Sequence, residues 1–74
     1  MTQVPILRPR EIERVLLRAG FVIDTKAGSH RTYYNPKTKR HTTVAFHPGT
    51  IPRPTLRAII NQSGMTVDEL LKFK

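Results

Sequence analysis

Apolar positions recur along the chain with two different periods, and each change of period marks an element. Ile12, Val15, Leu16 and Ala19 stand at i, i+3, i+4 and i+7, one apolar stripe of an amphipathic helix. Pro9 suits the first helical position, where a fixed φ and a missing N–H cost nothing. Glu11 and Glu13 put negative charge in the first turn, and Gly20 follows as a stop. The spacing predicts a helix over 9–19. Residues 21–25, Phe-Val-Ile-Asp-Thr, are aromatic and β-branched and predict a strand. Residues 26–29 read as a turn, 30–35 as a second strand, 35–40 as a basic hairpin loop and 41–46 as a third strand. Such close spacing favours an antiparallel meander.

Residues 47–54 carry three prolines and a glycine, which predicts a stiff crossing loop. A second helix is expected over 55–63, with Pro54 at its start, Leu56, Ile59 and Ile60 facing inward, and Gly64 as its stop. Thr66 and Glu69 are spaced as a capping box and open a short last helix with Val67, Leu70 and Leu71 inward. Residues 1–7 show no period and read as a leader that packs through Ile6 or Leu7, leaving 8–74 as one domain. The expected fold class is α+β: a single two-layer domain, α-β-β-β-α(-α), with a three-stranded antiparallel sheet and the helices on one face. Double-stranded-RNA-binding domains share that order, and they hold phosphates and 2′-hydroxyls.

Composition narrows the function. A chain of 74 residues buries only about 60 % of its unfolded surface, which excludes large-cavity enzymes of the Rossmann or barrel kind. With no Cys, neither disulfides nor a thiolate metal site supplement the core. Thirteen Lys+Arg against five Asp+Glu leave a net charge of +8. A domain this basic repels itself, so the charge suits a polyanionic partner. No apolar run is long enough for a signal h-region or a membrane span; the expectation is a cytoplasmic protein away from the membrane.

The positive charges are grouped. Arg10, Arg14 and Arg18 lie four apart, about 150° around the helix from the apolar stripe. Alone, that stripe reads equally well as a solvated face. Lys37, Lys39 and Arg40 add a second group in the hairpin, and Arg53 a third before the second helix, whose free N–H groups suit a phosphate. Together they point to RNA or DNA. Two Tyr and no Trp give little support for broad single-strand stacking. Tyr33, Tyr34 and Phe46 read as sheet packing.

Candidate catalytic groups are few. The carboxylates are scattered over separate elements, so a metal-ion nuclease site is hard to assemble. Ser29 adjoins His30 without a carboxylate behind it, which argues against a Ser-His-Asp triad. RNA, however, carries its own nucleophile, the 2′-OH, and asks of a protein only a base, a phosphate clamp and charge stabilisation. His30 fits the base, because the Gly28-Ser29 turn before it lets backbone approach a phosphate. The competing reading is a histidine that merely begins a strand and faces solvent. His41 is expected beside Arg40 in solvent. His47, ending the third strand, either joins the site or bonds to the following loop.

Four segments carry a resemblance: residues 11–21 (EIERVLLRAGF), Gly28-Ser29-His30, residues 43–49 (TVAFHPG) and residues 55–60 (TLRAII). In this order the chain, from about residue 7 to 73, resembles the HicA toxin family. The resemblance implies a fold like that of double-stranded-RNA-binding domains, a small ribonuclease acting on mRNA, and pairing with a HicB-like antitoxin, expected to be acidic. It places the family's catalytic histidine on His30 and implies no catalytic metal; no small-molecule cofactor is expected. The residues expected to hold RNA are Lys26, Gly28, Ser29, Arg31, Arg10, Arg14, Lys37, Lys39, Arg40, His47 and Arg53. The alternatives are a non-catalytic RNA-binding module of the same fold and a subunit whose charge serves only to bind an acidic protein.

Overall fold

A computed structural model describes residues 3–74. The element order is α1 (Pro9–Arg18), β1 (Val22–Ala27), β2 (His30–Asn35), β3 (Arg40–Ala45), α2 (Arg53–Ser63) and α3 (Val67–Phe73). The three strands form one antiparallel sheet in the order β1-β2-β3. The α+β class and the α-β-β-β-α-α order expected from the residue pattern are those observed. The Cα envelope is a slab of 33 × 30 × 17 Å, as a sheet with one layer of helices requires.

Alternation along the strands sets the two faces of the slab. Tyr33 pairs with Thr42 and Arg31 with Val44, so these four side chains share one face. Tyr33 bonds to Glu13 of α1, and the Thr42 hydroxyl donates to Gln62 Oε1 of α2 at 2.8 Å. Both long helices therefore lie on that face. Ile12, Val15 and Leu16 from α1 meet Leu56, Ile59 and Ile60 from α2, with Tyr33, Val44 and Leu70, in one buried core. Each of these large side chains contributes about 1.5–3 kcal/mol by leaving water. His30, Thr32, Tyr34, His41 and Thr43 fall on the other face, which no helix among the described residues covers.

The helix ends follow local chemistry. The backbone N–H of Arg8 donates to Glu11 Oε1 at 2.9 Å, so Glu11 closes the amino end of α1 where the sequence offers no Ser, Thr or Asp. At the other end Phe21 N–H reaches Leu16 O and Gly20 N–H reaches Leu17 O, the paired bonds of a Schellman motif. The Thr66–Glu69 capping box forms as expected, with Glu69 N–H donating to Thr66 Oγ1 at 3.1 Å and Thr66 N–H to Glu69 Oε1 at 2.9 Å.

Several boundaries and facings differ from expectation. Strand β1 reaches Ala27, so Lys26 and Ala27 are paired strand residues and the turn shrinks to Gly28-Ser29. The flanking ladder extends as far as partners on β2 remain. Helix α2 starts at Arg53; Pro54 lies within its first turn, where a missing N–H costs nothing. Leu71 is exposed, and Leu70 alone of that pair is buried, because a step of about 100° per residue carries Leu71 off the narrow face that this short helix turns to the core. In the leader, Leu7 packs but Ile6 is exposed; Val4 joins the core instead. Ile51 N–H donates to Leu7 O at 2.8 Å, tying the leader to the crossing loop. The first two residues of the leader lie outside the described part.

Candidate active site

His30 opens β2 opposite Ala27 of β1 and Ala45 of β3. Two methyl-sized neighbours leave its ring exposed at the end of the helix-free face. The turn before it depends on Gly28, whose φ of 59° lies in the left-handed region that side chains with a Cβ avoid. Nothing lies within 4 Å of a Cβ built there, so the demand is conformational rather than steric. Phe46 N–H then donates to Ser29 O at 2.6 Å, fastening this turn to the end of β3. That bond brings His47 to His30: the ring centroids are 6.3 Å apart and the planes nearly perpendicular at 86°.

Arg31 goes the other way. As the next residue of β2 it turns towards α1, where its Nη1 donates to Glu13 Oε2 at 2.7 Å. Its guanidinium also sits 4.1 Å from the centre of the Phe46 ring, a cation–π contact. The Tyr33 hydroxyl donates to the same Glu13 oxygen. Burial pushes the Glu13 carboxyl upward, but hydrogen bonds from Tyr33 and Arg31, with the charges of Arg31 and Lys26, outweigh it and hold the carboxyl below its usual value. The bond to Glu13 raises Arg31. Tyr33 is raised by desolvation first and then by Glu13, so it stays a donor at neutral pH. Arg31, expected as an RNA contact, is thus engaged in a clamp between β2, α1 and Phe46.

Lys26 lies opposite Arg31 in the sheet register. Simple alternation from Ile23 would have set it on the His30 face; a register shift at Asp24 moves it to the Glu13 side. Arg10 lines a cleft of about 470 Å³ with Arg8, Glu11, Phe46, His47, Pro48 and Gly49, so it approaches the histidine pair through His47. A second cleft, of about 290 Å³, runs from His47 to Thr50, Pro52 and Thr55 at the start of α2. Arg53 is exposed at that helix start, and Arg14 is exposed on α1.

The hairpin cations stand elsewhere. Asn35 pairs with Arg40 at the opposite end of the ladder from His30 and Ala45, five strand residues or about 16 Å away. Asn35 organises this hairpin, its Oδ1 accepting from Lys37 N–H at 2.9 Å and Thr38 N–H at 3.3 Å. The side chain of Arg40 lies against Gly64, the carboxyl cap of α2, where positive charge is favourable. Arg18, the third member of the α1 stripe, donates to Phe73 O at 3.0 Å and ties α1 to the end of α3. Of the expected RNA-holding set, the structure gathers Gly28, Ser29 and His47 around His30, and Arg10 shares a cleft with His47. It leaves Lys37, Lys39 and Arg40 at the far end.

One feature has almost no signal in the residue pattern. Glu13 reads as a helix-dipole charge, yet it is the hub of the clamp; only its position beside the apolar stripe hinted at partial burial. Of the two places open to His47, the structure sets it beside His30, next to the Ser29–Phe46 backbone bond. No group of three or more His, Cys, Asp or Glu able to hold a metal ion occurs among the described residues, and no described helix is long and apolar enough to cross a membrane.

A slab with this element order, a three-stranded antiparallel sheet and both long helices on one face, has the α-β-β-β-α layout of a double-stranded-RNA-binding-type domain. The chain belongs to the HicA toxin family of bacterial toxin–antitoxin systems, whose family model matches residues 9–65. A comparison with curated proteins gives no significant match.

Proposed function

We propose that this toxin is an endoribonuclease that cleaves mRNA with His30 as general base and without a catalytic metal. His30 takes the proton of a 2′-OH, the 2′ oxygen attacks the adjacent phosphorus, and the 5′ oxygen of the next nucleotide leaves. The products are a 2′,3′-cyclic phosphate and a 5′-hydroxyl. One observation carries this reading: the His30 ring is exposed on a turn built by Gly28 and fastened by the Ser29–Phe46 bond, next to His47, which lines a cleft with Arg8 and Arg10. A positioned base contributes about 10²–10⁴ in rate, and fixed placement is what makes it effective.

The partner in this reading is an acidic, HicB-like antitoxin that covers His30, and the site of action is the cytoplasm, where mRNA is met. A +8 domain attracts such a partner through long-range steering. The test is incubation of the purified chain and His30→Ala with end-labelled RNA in excess EDTA. Cleavage by the parent chain, lost in His30→Ala at unchanged thermal midpoint, is the expected result. RNA bound tightly but left intact by the parent chain would make the domain a non-catalytic binding module.

A further inference from the structure

We propose that His47 is the general acid of the same reaction, protonating the 5′ oxygen as it leaves. This rests on the reading of His30 as the base. Transfer to phosphorus through the 2′-OH needs two proton movements on opposite sides of one phosphate: removal from O2′ and delivery to O5′. Each group must come within about 2.6–3.2 Å of its oxygen. Rings on separate faces of the sheet could not both reach one phosphate. His30 and His47 form an edge-to-face pair with centroids 6.3 Å apart, so both imidazoles stand within reach of a single phosphate bound along their shared rim. No hydrogen bond occupies either ring among the described residues, and both side chains are exposed.

The assignment of sides follows from the surroundings. His30 is flanked by Ala27 and Ala45, with the Gly28-Ser29 turn as its approach. His47 lines the cleft shared with Arg8, Arg10 and Glu11 and also the one that ends at Thr55 on α2. The nucleotide that departs needs such a groove, with cations for its next phosphate. The proton balance closes: the O2′–P bond forms as His30 accepts the O2′ proton, the P–O5′ bond breaks as His47 gives O5′ a proton, and solvent exchange resets both rings. No water or cofactor is consumed in the step.

The experiment compares two RNA substrates of one sequence, cut by the parent chain at a mapped position. One carries the ordinary linkage and the other a sulfur in place of the 5′ bridging oxygen, whose thiolate leaves without needing a proton. His47→Ala is expected to lose about 10²–10⁴ in rate on ordinary RNA and to regain nearly all of it on the sulfur substrate. His30→Ala is expected to stay slow on both. His47→Gln, which keeps a polar side chain in the loop, repeats the measurement should the alanine variant fold poorly, and RNA affinity within a few-fold of the parent separates protonation from binding. Equal slowness of the His47 variants on both substrates, or parent-like rates on ordinary RNA, overturns the proposal. Sulfur rescue of His30→Ala instead of His47→Ala overturns the assignment of roles, whereas parent-like cleavage of ordinary RNA by His30→Ala shows that the reading of His30 itself has failed.

Discussion

Glu13 on α1 and Arg31 on β2 meet at 2.7 Å, and through that pair the helix layer holds the strand that begins with His30. Neighbouring strand residues point to opposite faces, so Arg31 anchors the backbone from inside while His30 stands free outside. The same guanidinium packs on Phe46, whose N–H holds the turn before His30. One carboxylate thus supports the geometry of both histidines.

Replacing Glu13 by alanine leaves the buried Tyr33 hydroxyl without its acceptor. The expected loss is about 1–3 kcal/mol, which in a domain of this size lowers the thermal midpoint by about 4–8 °C per kcal/mol. A melting curve unchanged by Glu13→Ala would mean that Tyr33 finds another partner and that the clamp is incidental.

The clamp also makes stability depend on acid. The Glu13 carboxyl is held below its ordinary value in the folded chain, so the unfolded chain binds its proton more readily. Its contribution is complete above the ordinary carboxylate value of about 4.3 and is lost as the pH falls through the lower folded value. Glu13→Gln removes this linkage. Urea titrations should show the stability gap between parent and variant shrinking steadily below about pH 5. A gap independent of pH would place the difference in packing rather than charge.

Much of the fold was legible from residue types because the decisive signals are local. Ile12, Val15 and Leu16 mark one helix face, Gly20 its stop, and Thr66 with Glu69 the last cap. The site was legible only in part. Gly28-Ser29-His30 marks a turn with a histidine, but the partner of each flanking cation depends on register. Asp24 shifts that register and sends Lys26 towards Glu13, while Arg31 goes to the same carboxylate. Arg40 looked like one of three equivalent hairpin cations until its place against Gly64 became visible. Such pairings join residues far apart in sequence, and periodicity carries no information about them.

Gly64 closes α2 with φ 77°, in the left-handed region. A Cβ there would lie 2.6–3.0 Å from the outer atoms of Arg40, which is flexible enough to swing away. The conformational cost remains, about 1–2 kcal/mol. Gly64→Ala is therefore expected to destabilise by that amount in urea, and adding Arg40→Ala should recover little of it. Full recovery in the double variant would show that crowding, not backbone strain, sets the cost.

Lys39 is the one non-glycine residue at positive φ among those described, at 65°. Its N–H closes the hairpin on Asn35 O at 2.7 Å, so the conformation is built into the turn. Glycine would adopt it without penalty, and a lysine there costs stability that its exposed side chain does not repay by packing. Local rules broken without a structural gain are expected where a residue serves binding. Lys39→Gly should therefore leave stability unchanged or raise it by up to about 1 kcal/mol while weakening RNA binding. Removing one phosphate contact lowers the slope of log affinity against log salt by about 0.7 for a single strand or 0.9 for a duplex. Binding measured across a salt series by fluorescence anisotropy reads both effects. A variant with greater stability and an unaltered salt slope would remove Lys39, some 16 Å along the ladder from His30, from the surface that meets RNA.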